Sequence, residues 1–291
     1  MIEKLLGDVP KRVFVEEYYY HRPFASPGGA EAFARWGTWE TVEEVLSRPD
    51  ADVLVARKGE LREGPDVPSY AEAKRLHDEG YTIVLRHAER HHAGLAELAA
   101  GFYEDFRAAV NVHVYCTPAN QHGFGWHYDA EDVFILQTVG SKGFALRKNT
   151  VNPWPVLEAL PKDMGVEREV MPLVKCKLAA GDWLYIPGGY WHAAEAQKED
   201  SISLSVGLES PTALDVYDFV RRQLPASILW RQRLPVTGWA SELGAEELAE
   251  RYRSLLAELG ADVAKMMRSE GLVQTFLAER LGQGGGDRAR R

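Results

Sequence analysis

Between residues 181 and 192 the chain reads Gly181-Asp182-Trp183-Leu184-Tyr185-Ile186-Pro187-Gly188-Gly189-Tyr190-Trp191-His192. Gly181-Asp182 predicts a turn, Trp183 to Ile186 a short apolar strand, and Pro187-Gly188-Gly189 a second turn that delivers His192 just beyond it. The same texture of short β-rich runs punctuated by Gly and Pro extends from Asn111 to Glu209. Within it Val112 to Cys116, Val133 to Val139, Phe144 to Leu146, Leu173 to Leu178 and Ile202 to Leu208 all read as strands. Strands spaced this way predict a sandwich, jelly roll or barrel and not a βαβ sheet.

Outside this stretch the patterning is different. Upstream, Val13 to Tyr20 opens as a short helix, Thr38 to Leu46 and Leu95 to Phe106 read as helices, and Ala51 to Ala56 and Thr82 to Leu85 as strands. Pro68-Ser69 precedes a helix over Tyr70 to Glu79, with Ser69 as its cap and Gly80 as its stop. After Pro211, Leu248, Tyr252, Leu255, Leu256, Leu259, Val263 and Met267 recur at helical intervals and define one apolar face. The expected fold class is therefore α+β: a jelly-roll core with an N-terminal α/β segment and C-terminal helices. The expected divisions are 1–210 for the core domain, 211–281 for the helices and 282–291 for a Gly- and Arg-rich disordered tail.

With 291 residues and 45 % apolar composition the chain can bury a full core. Its 34 Lys and Arg against 43 Asp and Glu leave a net charge of −9, which argues against broad attraction to phosphate backbones or anionic membranes. Arg221, Arg222, Arg231 and Arg233 could still make a local patch for a nucleic acid such as tRNA. Met1 to Gly7 lack the regions of a secretion signal, and no run approaches the roughly 18 apolar residues of a membrane span. A cytoplasmic location is expected. The two cysteines, Cys116 and Cys176, show no Cys-x-x-Cys spacing and read as free thiols. P-loop, Gly-x-Gly-x-x-Gly, His-Glu-x-x-His and Gly-x-Ser-x-Gly signatures are all missing, which weakens nucleotide-fold and hydrolase readings.

What remains is His127-Tyr128-Asp129, followed 65 residues later by His192. Two imidazoles and a carboxylate can hold one face of an octahedral Fe(II) and leave three positions open. On a strand, residues i and i+2 share a side, so His127 and Asp129 can meet one metal while Tyr128 faces away. His192 must then arrive from a distant strand. The other histidines, including His91-His92, have no comparable setting.

Taken together, Tyr115-Cys116-Thr117-Pro118-Ala119-Asn120, Gly123-Phe124, His127-Tyr128-Asp129, Val133-Phe134-Ile135-Leu136-Gln137, Gly140-Ser141-Lys142 and the Gly181 to His192 segment resemble the JmjC/cupin oxygenases of the ribosomal-oxygenase type. The resemblance runs from about Val13 to Glu209 and is dense between Asn111 and His192. It implies a double-stranded β-helix that uses Fe(II) with 2-oxoglutarate as cosubstrate to hydroxylate a side chain such as histidine or arginine of a ribosomal protein. It further implies iron ligands at His127, Asp129 and His192, with no catalytic residue beyond them. Lys142 would pair with the distal carboxylate of 2-oxoglutarate, and the Tyr115 hydroxyl would donate to the same group. A dianion entering an apolar barrel needs such neutralisation. On this reading Lys142 stands on a hairpin that returns it toward the barrel mouth.

The sequence also departs from the family pattern. Trp126 stands where a proline often precedes the first ligand, and Ser201 to Gly207 lacks the usual His-x-Thr. Trp126, Tyr190, Trp191 and Ser203 are expected to line the substrate side of the pocket. About 80 residues follow Pro211, fewer than dimerising helices plus the winged-helix domain of longer relatives would need; those helices are expected to form a homodimer. A protein or peptide is the expected partner and a membrane is not. A free amino acid, a biosynthetic peptide or a tRNA base is the alternative substrate, and a cupin that merely clamps a metal the alternative to an enzyme.

Overall fold

The computed structural model describes residues 1–62, 69–160, 166–237 and 243–282. It divides into two compact units, Met1–Ser210 and Pro211 onward. In the first, eleven strands appear among the described residues: β1 (Phe24–Ser26), β2 (Asp52–Arg57), β3 (Glu60–Leu61), β4 (Thr82–Arg86), β5 (Ala109–Thr117), β6 (Asp132–Val139), β7 (Ser141–Arg147), β8 (Leu173–Ala179), β9 (Trp183–Ile186), β10 (Trp191–Ala196) and β11 (Ser201–Glu209). An eight-stranded sheet runs in the order β1-β9-β6-β11-β5-β4-β2-β3 and a three-stranded sheet in the order β10-β7-β8. Every pairing is antiparallel.

The centre of the large sheet is buried on both faces, which is why β6 and β11 read as almost continuous runs of buried residues. Phe134 and Leu136 of β6, with Val112, Val114, Leu204 and Val206, face a core built with the helices α1 (Ile2–Leu6), α3 (Trp39–Leu46), α4 (Tyr70–Asp78) and α5 (Ala93–Phe106), while α2 (Lys11–Val13) buries no residue. Val133 and Ile135 point the other way and pack with Phe144, Leu146, Leu178, Leu184 and Ile186 between the two sheets. This is a jelly roll of the kind that the strand pattern predicts, in the double-stranded β-helix form that the resemblance implies. The expected cap holds at α4, where Ser69 accepts from the Glu72 amide, and Thr38 likewise accepts from the Thr41 amide ahead of α3.

Two expectations are corrected. Val13 to Tyr20 forms a π-helical turn over Phe14–Tyr18, not an ordinary helix, and ends with Tyr20 in the left-handed region at φ 65°. His192 itself arrives on a strand, as expected: β7 supplies a ladder for Trp191–Ala196 from Trp191↔Arg147 to Ala196↔Lys142. Most consequentially, β6 and β7 do not form a hairpin. The chain crosses from the large sheet to the small one at Gly140, where φ is +66° and a Cβ would lie 2.0 Å from the Asp200 carbonyl oxygen. Lys142 is therefore an interior residue of β7 and not a residue of a hairpin at the barrel mouth.

The second unit holds α6 (Ala213–Gln223), α7 (Ile228–Arg231), α8 (Ala245–Met267) and α9 (Glu270–Gly282). The predicted face of α8 is only half-buried, and Leu256 and Met267 stand exposed. Of the four arginines, Arg221 pairs with Asp218 and Arg222 with Glu279, which weakens the idea of a free basic patch. The tail expected to be disordered lies outside the described residues from 283 onward. Among the described residues no helix is long and apolar enough to cross a membrane.

Candidate metal centre and its cavity

His127 and His192 face each other across an isolated antiparallel bridge, each amide donating to the other's carbonyl at 3.1 and 2.8 Å. Pairing stops there: Tyr128 and Asp129 lie outside any strand, so one bridge and not a continuous strand sets the alternation of this segment. It is nonetheless sufficient. Tyr128 is buried on the opposite side, where its ring meets Trp191 edge-on at 4.7 Å. His127 and His192 turn inward with ring centroids 4.2 Å apart, and Asp129 Oδ2 lies 3.4 Å from His192 Nε2.

One ligand atom each from His127, Asp129 and His192 lies within 4.8 Å of the others, the one such cluster among the described residues. Both imidazoles are oriented by backbone: His127 Nδ1 donates to Gly125 O at 2.9 Å and His192 Nδ1 to Tyr190 O at 3.0 Å. A carbonyl can only accept, so the protons reside on Nδ1 and the Nε2 lone pairs are left free to bind a cation. Burial, reinforced by neighbouring His127, pushes the His192 imidazole down to about 4, so it stays neutral near pH 7. Two imidazole nitrogens and a carboxylate with matched orientation fit a divalent first-row metal.

The triad opens on a pocket of about 580 Å³, the open space at its mouth included, between the sheets. Its apolar walls are Val133, Ile135, Phe124, Phe144 and Ala194; its polar groups are Tyr115, Thr117, Thr82, Ser203, Ser205 and Lys142. Lys142 is 5 % exposed, with no carboxylate partner among the described residues; its Nζ lies 3.5 Å from Ser203 Oγ and 5.4 Å from the centre of the Tyr115 ring. Burial pushes its ammonium down to about 8. Burial also raises the Tyr115 phenol, whose hydroxyl has no hydrogen-bond partner among the described residues. A buried cation beside an unused hydroxyl, in a cavity that can admit a small molecule, is a setting for an anion.

Of the residues expected to form a substrate wall, Ser203 lines the cavity and three do not. Trp126 and Trp191 immediately precede inward-pointing histidines, so the alternation turns them away; Trp191 is 1 % exposed against Tyr128. Tyr190 is half-buried, and its hydroxyl donates to the His21 carbonyl at 3.2 Å. Sequence reasoning missed Thr82, Thr117 and Ser205 in the cavity wall, and His113 on the same side of β5. Thr82 Oγ1 and His113 Nε2 are buried without a hydrogen-bond partner among the described residues, and burial pushes His113 down to about 4. The alternation Ser201-x-Ser203-x-Ser205 was a legible signal of a polar inner face on β11; nothing local distinguished Thr82 or His113.

Comparison with known proteins agrees with this architecture. Residues 90–216 match the family model described as JmjC domain. A bifunctional lysine-specific demethylase and histidyl-hydroxylase NO66 of Drosophila yakuba is 24 % identical over 226 residues, covering 71 % of this chain and 32 % of the relative. Ribosomal oxygenase 1 of Gallus gallus is 27 % identical over 256 residues, covering 74 % of this chain and 42 % of that protein. The chain thus spans about a third of the length of the curated relatives it matches. Among solved structures, Escherichia coli ycfD superposes with a TM-score of 0.64 at 20 % identity, covering 92 % of this chain and 70 % of that one. The complex of YcfD, a ribosomal oxygenase, with cobalt and 2-oxoglutarate gives 0.62 at 18 % identity, covering 95 % and 72 %. Residues 90–216 thus carry a likeness to a JmjC domain, and over the wider chain the fold is similar to that of YcfD.

Proposed function

We propose that the protein is an Fe(II)- and 2-oxoglutarate-dependent hydroxylase acting on a protein side chain, with histidine or arginine of a ribosomal protein as the first substrates to test. One observation carries the reading: a His127/Asp129/His192 cluster opens on a cavity that also buries Lys142 without a carboxylate partner. The relatives named as a histidyl-hydroxylase and a ribosomal oxygenase, and the cobalt and 2-oxoglutarate complex of YcfD, support the same class.

In this reading His127, Asp129 and His192 hold the metal through two Nε2 atoms and a carboxylate oxygen. Bound iron supplies dioxygen chemistry in which 2-oxoglutarate is oxidised to succinate and carbon dioxide while one oxygen atom is inserted into a substrate C–H bond. Lys142 supplies the positive charge that the far carboxylate of the cosubstrate requires, and Tyr115 and Ser203 offer hydroxyl donors beside it. The apolar walls, chiefly Val133, Ile135 and Phe144, exclude water from the space between that carboxylate and the metal ligands. The open side of the triad is left to the substrate.

The decisive experiment is turnover of 2-oxoglutarate to succinate by iron-loaded protein, with mass spectrometry for a +16 Da product, the mass of one inserted oxygen atom, on ribosomal proteins from cells with and without this chain. Absence of both, with iron bound, refutes the enzymatic reading. The helices after Pro211 we read as a homodimerisation segment. On α9, Val273, Leu277 and Leu281 recur every fourth residue and are each at least half exposed. A cytoplasmic location accords with a ribosomal protein substrate.

A further inference from the structure

Asp132 opens β6 three residues after Asp129 and is 2 % exposed. No cation pairs with it among the described residues. Its carboxylate instead accepts three hydrogen bonds: from Tyr185 Oη at 2.7 Å and the Gly188 amide at 3.2 Å on Oδ1, and from Ser210 Oγ at 2.8 Å on Oδ2. The register explains the arrangement. Val133 pairs with Ile186 between β6 and β9, so the next position would set Asp132 against Pro187. Proline has no N–H, so the ladder ends there, and the Asp132 side chain captures the following amide instead.

The turn held in this way is the one that carries His192. The Gly189 amide donates to the Asp129 carbonyl at 2.8 Å, and the Tyr190 amide to Pro187 O at 3.1 Å. Tyr190 O in turn receives His192 Nδ1. One flank of the turn is therefore fastened to the Asp132 side chain and the other to the backbone of Asp129. The fit is close: a Cβ on Gly188 would lie 2.9 Å from Ala130 O, and Gly189 has φ +83°.

We propose that Asp132 is a positioning residue for the centre: by holding the Gly188 amide it sets the separation of Asp129 from His192. The inference rests on the reading of His127, Asp129 and His192 as metal ligands. An asparagine can keep the arrangement, because its Oδ1 accepts from Tyr185 and Gly188 while its Nδ2 donates to Ser210 Oγ. An alanine cannot. Ser210→Ala removes one of the three donors and leaves the Gly188 bond intact.

The test is a Co(II) titration of the full chain followed by visible absorption, together with hydrogen exchange of the Gly188 and Gly189 amides. Wild type is expected to take up one Co(II) and His192→Ala to lose it. Asp132→Ala should weaken Co(II) at least about tenfold, the usual effect of removing a group that orients a ligand. Asp132→Asn and Ser210→Ala should stay within about threefold, since both keep the bond to Gly188. Unchanged Co(II) affinity in a folded Asp132→Ala protein overturns the inference. Should that variant not fold, the metal-free wild type decides: protected Gly188 and Gly189 amides support the inference, and exchange at the rate of an open loop overturns it. A wild type that binds Co(II) no better than His192→Ala refutes the ligand reading itself, whatever the exchange data show.

Discussion

Replacing Lys142 by methionine should produce two effects of opposite sign. Lys142 is buried with no carboxylate partner, and its ammonium is lowered from 10.5 to about 8 by burial alone among the groups that lower it. At pH 7 both the folded and the unfolded chain carry the charge, so the folded protein bears its full desolvation cost. A depression of that size corresponds to about 3 kcal/mol at about 1.4 kcal/mol per pH unit. Lys142→Met removes this cost and keeps the volume, so the protein without ligands should melt higher by about 5 to 10 °C. Cosubstrate binding should move the other way. If the ammonium pairs with the far carboxylate of 2-oxoglutarate, the variant leaves a buried carboxylate unpaired, at a cost of about 3 to 5 kcal/mol, or a few hundredfold or more in affinity. Calorimetric melting without ligands and 2-oxoglutarate titration of the iron-loaded protein, both at pH 7, measure the two arms. Iron content should hardly change, because the metal ligands are untouched. Equal 2-oxoglutarate affinities would refute the role assigned to Lys142, and a lowered melting temperature would refute its reading as an uncompensated buried charge.

The same shift predicts a pH dependence. Between about pH 8 and 10.5 folded Lys142 has released its proton while the unfolded chain still binds one, so stability of the ligand-free protein should rise with pH by up to about 3 kcal/mol from this group; denaturant melts should show that increment in wild type and not in Lys142→Met. Over the same window 2-oxoglutarate binding should weaken as the cation is lost, and a flat affinity from pH 7 to 10 would contradict this. Gly140→Ala should destabilise by about 2 kcal/mol or more, since φ is +66° and the new Cβ meets the Asp200 carbonyl; an unchanged denaturation midpoint would show that the crossing between sheets relaxes freely. Light scattering at micromolar concentration should report a dimer, and Leu277→Glu a monomer; a monomeric wild type would remove the dimer reading of the α9 stripe.

The sequence by itself determined the elements and the chemical types at the site. Strands in the Asn111 to Glu209 stretch are legible because apolar β-rich runs and Gly/Pro punctuation are local properties of the chain, and Thr38 and Ser69 mark their helices for the same reason. His127-x-Asp129 and His192 were recognisable from residue type and from the turn at Pro187-Gly188-Gly189. Tertiary structure alone decided where those elements meet. That β6 and β7 belong to different sheets, and so bury Lys142 within β7 instead of returning it to the barrel mouth on a hairpin, depends on which strands find a ladder across the barrel. Alternation says that two neighbours face opposite sides but not which side is the cavity; this is why Trp126, Tyr190 and Trp191 were expected on the wall that Thr82, Thr117 and Ser205 in fact line. Asp132 shows the same limit: its proximity to Gly188 spans 56 positions, and only the β6–β9 register, interrupted by a proline without an N–H, brings the two together.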